Sequence, residues 1–225
     1  MGDARYFSEA TFRFLEDLKA NNDREWFAEN KHRYEEHLKA PALRLIEDFA
    51  PALERISPHF SATPRSLFRI HRDTRFSKDK SPYKTYTGIH FRHQRAGDVH
   101  APGFYFHLEP QNVFAALGIW HPAADMLRRI RERIVEDPTA WTRATRGSEF
   151  TETFELAGER LKRPPRGFDA EHPLVEDLKW KDVVAVRQLS RTFAAGPRLP
   201  QELADLYAAG TGFMRFLCAA LDAPF

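Results

Sequence analysis

The chain has 225 residues, 42% of them hydrophobic and 29% charged, proportions that fit a folded globular protein and exclude a disordered one. The net charge is only +2, too small to mark a nucleic-acid binder from totals alone. Cys218 is the single cysteine, which excludes an intrachain disulfide and a multi-cysteine zinc site and fits a reducing compartment.

Phe7, Thr11, Phe14, Leu15 and Leu18 recur at helical spacing and predict a first helix. Glu9, Arg13, Glu16 and Asp17 interrupt that segment, so it does not read as a signal peptide. No apolar run of about 18 residues follows anywhere, and a cytoplasmic protein is expected, with no membrane partner. Asn21-Asn22-Asp23 ends the first helix, and Asp23 is placed to cap a second one carrying Phe27, Tyr34 and Leu38. Pro41 predicts the start of a third, with the stripe Ala42, Leu45, Ile46, Phe49, Leu53 and Ile56, and Pro51 is placed to kink or split it.

The period then changes to two. Residues 67–73, 86–93, 103–109 and 113–120 read as strands, the third alternating cleanly between Phe104, Phe106, Leu108 and Tyr105, His107, Glu109. Turns are expected at Gly97-Asp98 and Pro110-Gln111-Asn112, while residues 74–85 form a long polar loop of the kind that often carries function. Pro122 predicts a helix with Met126, Leu127, Ile130 and Ile134, and Asp137-Pro138 another around Trp141. Residues 161–173 are irregular and basic, residues 183–188 suggest a fifth strand, and one last helix carries Leu203, Tyr207, Phe213, Leu217 and a buried Cys218. The expectation is one α+β domain over residues 1–225 with an antiparallel sheet of about four to five strands: helical over 1–57, sheet over 66–120, and mostly helical with one possible strand over 122–225. Helices cover one sheet face.

Walker A, G-x-G-x-x-G, G-x-S-x-G and H-E-x-x-H patterns are all absent, which removes the common nucleotide-hydrolase, dinucleotide, serine-hydrolase and zincin readings. Residues 69–84 instead concentrate charge. Arg69, Arg72, Arg75, Lys78, Lys80 and Lys84 against Asp73 and Asp79 give a local +4. The pattern Arg-x-x-Arg-Asp-x-Arg-Phe, followed by Asp79-Lys80 and Tyr83, resembles the bacterial conserved hypothetical proteins called domain of unknown function 2461. Asn21 to Phe27 with Asn30-Lys31, Tyr105 to Pro110, Gly118 to Pro122, and Gly167-Phe168-Asp169 with His172-Pro173-Leu174 resemble that family's other recurring stretches. The chain departs from its relatives before Trp120, where Ala115-Ala116-Leu117-Gly118 replaces a glycine-rich run. The resemblance brings no reaction, partner or required cofactor with it.

Arginine forks and lysines suit phosphate or carboxylate oxygens, so Arg69, Arg72, Asp73, Arg75, Lys78, Lys80, Tyr83 and Lys84 are the expected ligand-binding set for an anionic small molecule. The same loop against a nucleic-acid backbone is an alternative, and an internal ion-pair network in an interaction protein is another. Strand alternation makes Arg72, beside Phe68 and Ile70, the best candidate for a structural ion pair. It also puts Arg69, His71 and Asp73 on one face with Tyr86, His90, Arg92, Tyr105, His107 and Glu109. His71, His107 and Glu109 are the acid–base candidates there; no metal is expected, and His71, His90 and His107, with a carboxylate, are the side chains that could ligate one.

Overall fold

A computed structural model describes residues 6–75, 77–94 and 101–225. The turn expected at Gly97-Asp98 and the motif residue Phe76 lie outside the described residues.

In chain order the elements begin with helix α1 (Glu9–Ala20) and α2 (Arg24–Tyr34), the latter capped by the Asp23 carboxylate accepting from the Trp26 amide at 2.9 Å. A π-helical turn (Glu35–Lys39) runs straight into α3 (Ala40–Ile56), which has Pro41 in its first turn. Pro51 sits exposed inside α3, which continues past it unsplit. Next come β1 (Phe60–Ser61), a 3-10 turn (Pro64–Ser66), β2 (Thr87–His93), β3 (Gly103–Glu109) and β4 (Asn112–Ile119). The second half holds α4 (Ala124–Glu136), α5 (Pro138–Arg146), α6 (Ser148–Thr153), β5 (Glu155–Ala157) and α7 (Val175–Leu178). It ends with β6 (Val183–Leu189), α8 (Arg191–Ala194), α9 (Leu199–Ala209) and α10 (Thr211–Ala220).

The protein is α+β, with one six-stranded sheet in the order β1-β2-β3-β4-β6-β5 and every pairing antiparallel. Two strands that the sequence does not predict, β1 and β5, are two and three residues long, too short to leave a period in it. Residues 67–73 are not the strand their alternation suggests. Phe68 donates to the Gly88 carbonyl, but the chain then turns away, and Arg72 and Lys84 bond instead to the Pro82 and Ile70 carbonyls. The predicted last helix is two: Gly210 separates α9 from α10, and a Cβ there would strike the Leu117 side chain on β4.

One sheet face is core. Phe106 meets Phe7 of the N-terminal segment, Phe91 meets Phe49 of α3, and Phe104 meets Tyr207 of α9, with ring centroids 6.1, 4.7 and 5.0 Å apart. The Tyr207 hydroxyl donates to the Tyr105 carbonyl at 2.9 Å, so that polar tip is satisfied. Because side chains alternate along a strand, the same packing aims Gly88, His90 and Arg92, Tyr105 and His107, and Phe114 and Ala116 at the other face.

Candidate functional site

That second face carries a cavity of about 370 Å³, walled by Phe68, Phe114, Leu117, Trp120 and Val184. Tyr86, His90, Tyr105 and His107 bring polar groups to its lining. Two glycines make the room. A Cβ at Gly88 would strike the Tyr105 ring and hydroxyl, and one at Gly103 would strike the His90 ring.

His107 is held on every side. Its imidazole lies between Tyr86 (4.8 Å) and Phe114 (4.6 Å, 13° between planes), and its Nδ1 is 3.0 Å from the Tyr105 hydroxyl. Nε2 is buried without a hydrogen-bond partner among the described residues, 3.6 Å from the nearer Glu109 oxygen. A carboxylate at that distance favours the tautomer with the proton on Nε2, which makes Tyr105 the donor to Nδ1. Burial pushes the titration of His107 down, and Glu109 opposes that shift. Burial, helped by the Arg92 charge, pushes His90 down to about 4. Burial likewise pushes the Tyr105 and Tyr86 phenols up. At neutral pH the cavity therefore offers neutral hydrogen-bonding heads within aromatic walls.

Cations stand at its rim. The Lys84 ammonium lies 5.4 Å and the Arg92 guanidinium 6.0 Å from the centre of the Phe68 ring. Phe68 thus faces the cavity, against the expectation that it points to the core beside Ile70, because residues 67–73 leave the sheet's alternation.

The basic loop is tied into itself. Arg72 pairs with Asp79, and Arg75 forks onto both oxygens of Asp73 at 3.0 and 2.7 Å. Those hydrogen bonds hold the Asp73 carboxyl down to about 2. Lys80 donates to the Thr74 carbonyl and Lys84 to that of Arg69. Tyr83 is buried, stacked on Phe27 at 4.0 Å. Only Arg69 and Lys78 of the six cations form neither an ion pair nor a side-chain hydrogen bond among the described residues.

His107 and Glu109 come together, whereas His71 lies apart, exposed beside Tyr83 in a polar groove with Asn22 and Arg72. The candidate metal trio does not form: among the described residues no three His, Cys, Asp or Glu side chains gather as a metal site. His90 faces Tyr105 across the β2–β3 pair, His107 lies two residues along β3 from it, and His71 is on the loop.

Sequence reasoning missed His121 and Asp182. Asp182 is almost fully buried and accepts from the backbone N–H of His121 (2.9 Å) and of Glu159 (3.1 Å), and from His121 Nδ1 (2.7 Å). His121 has φ +50° and stacks on Trp120, whose indole walls the cavity. Residues 61 positions apart leave no local signal for such a pair.

The fold and this face define an α+β sheet protein with helices on one side and an aromatic, histidine-bearing cavity on the other. The model of the family described as "Conserved hypothetical protein (DUF2461)" matches residues 10–216, and the chain belongs to that family. No curated protein matches the chain.

Proposed function

We propose that the protein binds a small organic anion whose flat apolar body occupies the sheet-face cavity. The observation that carries this is the cavity itself: aromatic and aliphatic walls around His90, Tyr105 and His107, the composition of a small-molecule site. The anionic part follows from the Lys84 and Arg92 charges at the Phe68 rim. The expected anion-binding loop supports the site from outside, since Asp73 and Asp79 already neutralise two of its arginines. Those pairs also favour a second reading of the loop itself, as a structural brace.

Ala116 lines the cavity from β4, directly across from Tyr105, so Ala116→Leu fills part of it while every polar head stays in the chain. Aromatic carboxylates, sulfates and phosphates, with short duplex DNA as a counter-ligand, would be screened by thermal shift and titration calorimetry. An aromatic anion is expected to stabilise the wild type and to bind folded Ala116→Leu at least roughly tenfold more weakly. Equal binding to both proteins, or a response to DNA alone, defeats the proposal.

A further inference from the structure

A second cavity, of about 520 Å³, lies at the β1 edge of the sheet, between β2 and the turn at Pro64–Ser66. His90 and Gly103 set where it begins: the His90 ring, seated over Gly103, is a wall of both cavities.

The two compartments differ in chemistry. The first is apolar with neutral polar heads. The second carries two guanidinium groups, Arg65 and Arg92, and no carboxylate among its described walls. Neither arginine forms an ion pair among the described residues. The Nε of Arg92 is buried without a hydrogen-bond partner among the described residues, a costly state for a donor that cannot lose its proton. His93 in the same wall is already engaged through Nε2 with the Pro224 carbonyl at 2.9 Å. The basic loop is the reverse case, with Arg72 and Arg75 each facing an aspartate. Two unneutralised forks around one carboxylate-free space complement an oxyanion, and their joint charge matches a dianion better than a monoanion.

We propose that this cavity is the oxyanion compartment of the binding site, and that the ligand class is a phosphate monoester of a flat apolar group. The apolar body fills the first cavity, the phosphate meets Arg65 and Arg92, and His90 lies between them. This rests on the cavity reading given above and adds where the charge goes.

The probes are phenyl phosphate, phenyl sulfate and inorganic phosphate, titrated calorimetrically at low salt. The proteins are wild type, Arg65→Ala, Arg92→Gln, Ala116→Leu and the loop double variant Arg69→Ala, Lys78→Ala. Arg65 is exposed on the turn, so its variant keeps the test valid should Arg92→Gln fold poorly. Phenyl phosphate is expected to bind the wild type more tightly than phenyl sulfate or inorganic phosphate. Arg65→Ala and Arg92→Gln should each weaken it by roughly tenfold or more, and the loop variant by less than about twofold. If Arg65→Ala and folded Arg92→Gln bind phenyl phosphate as the wild type does while Ala116→Leu does not, the oxyanion compartment is wrong and the apolar cavity stands. Binding indifferent to all the cavity variants, or lost only in the loop variant, overturns both. Failure of the wild type to bind any phosphate monoester overturns the compartment.

Discussion

The imidazole of His90 lies across Gly103 on the neighbouring strand, where any Cβ would run into its Nε2. Gly103 has no unusual backbone angle, so the need for glycine here is space alone. Gly103→Ala is therefore expected to push His90 out of its seat and to destabilise the fold by about 1–3 kcal/mol, the usual penalty for overpacking. Chemical unfolding would give the loss, and the His90 ring resonances would report the displacement. An unchanged midpoint with an unchanged His90 environment would mean the two residues are not in contact in solution.

The same burial makes His90 a source of acid sensitivity. The native ring titrates near 4, from burial first and the Arg92 charge second, while an unfolded chain takes up that proton near the ordinary 6.5. Between those values the unfolded state binds more protons than the native one, so stability falls as the pH drops from about 6.5 toward 4. The full effect of this one group is roughly 3 kcal/mol. His107, also pushed down by burial, acts in the same direction. Urea unfolding at several pH values should show a shallower decline for His90→Gln than for wild type. Parallel declines would remove His90 from the account.

His107 separates its two neighbours by the sign of what each does. Glu109 raises the titration of His107 against the pull of burial, so Glu109→Gln should lower it further, read by NMR on the ring. Tyr105→Phe leaves Nδ1 buried without its 3.0 Å partner and should cost about 1–2 kcal/mol. A rise in the His107 titration in Glu109→Gln would contradict the geometry.

Much of this was legible beforehand because the central strands alternate without interruption. Tyr105, His107 and Glu109 against Phe104, Phe106 and Leu108 is a period-two pattern over the seven residues of β3, and both faces fall as that pattern says. Asp23 reads as a cap because a cap is a local interaction, and it accepts from the amide three residues on. The failures came where partners are distant or elements short. Alternation over residues 67–73 looks the same whether the segment joins a sheet or folds back on residues 82–84, and Phe68 was misplaced for that reason. Charge clustering drew attention to the loop, yet sequence alone does not reveal that Asp79 reaches Arg72, while Arg65 and Arg92 meet in a space without a carboxylate. The cavity needs Gly88 and Gly103 opposite Tyr105 and His90, a relation visible only with the register known.

Asp182 joins three segments through one carboxylate, binding two backbone amides and the His121 ring. Those hydrogen bonds and the His121 charge hold its titration below the usual range in spite of burial, so its contribution is present at neutral pH and is lost as the pH falls through the lowered value. Asp182→Ala strands two amides and the imidazole and should cost about 2–4 kcal/mol. Asp222, exposed in its pair with Arg129, is the control, and Asp222→Ala should cost under about 1 kcal/mol. Similar losses in both variants would show that Asp182 is no more than a surface charge.

Asn22 and Tyr83, 61 positions apart, are tied by two hydrogen bonds, the Asn22 amide donating to the Tyr83 carbonyl and the Tyr83 amide to Asn22 Oδ1, each 3.0 Å. Phe27 stacks on the Tyr83 ring beside them, so the break between α1 and α2 holds the return strand of the basic loop. The loop's surface ion pairs are a weaker restraint, because exposed pairs contribute little in water. Asp79→Ala should therefore change stability by under about 1 kcal/mol, whereas Asn22→Ala leaves a partly buried amide and carbonyl unpaired and should cost about 1–3 kcal/mol. Limited trypsin digestion gives an independent reading, since Arg72, Arg75, Lys78 and Lys80 all lie in the loop. Asn22→Ala should be cut there faster than Asp79→Ala at a temperature where both are folded. Faster cutting of Asp79→Ala would make the ion pair, and not the asparagine, the restraint that orders the loop.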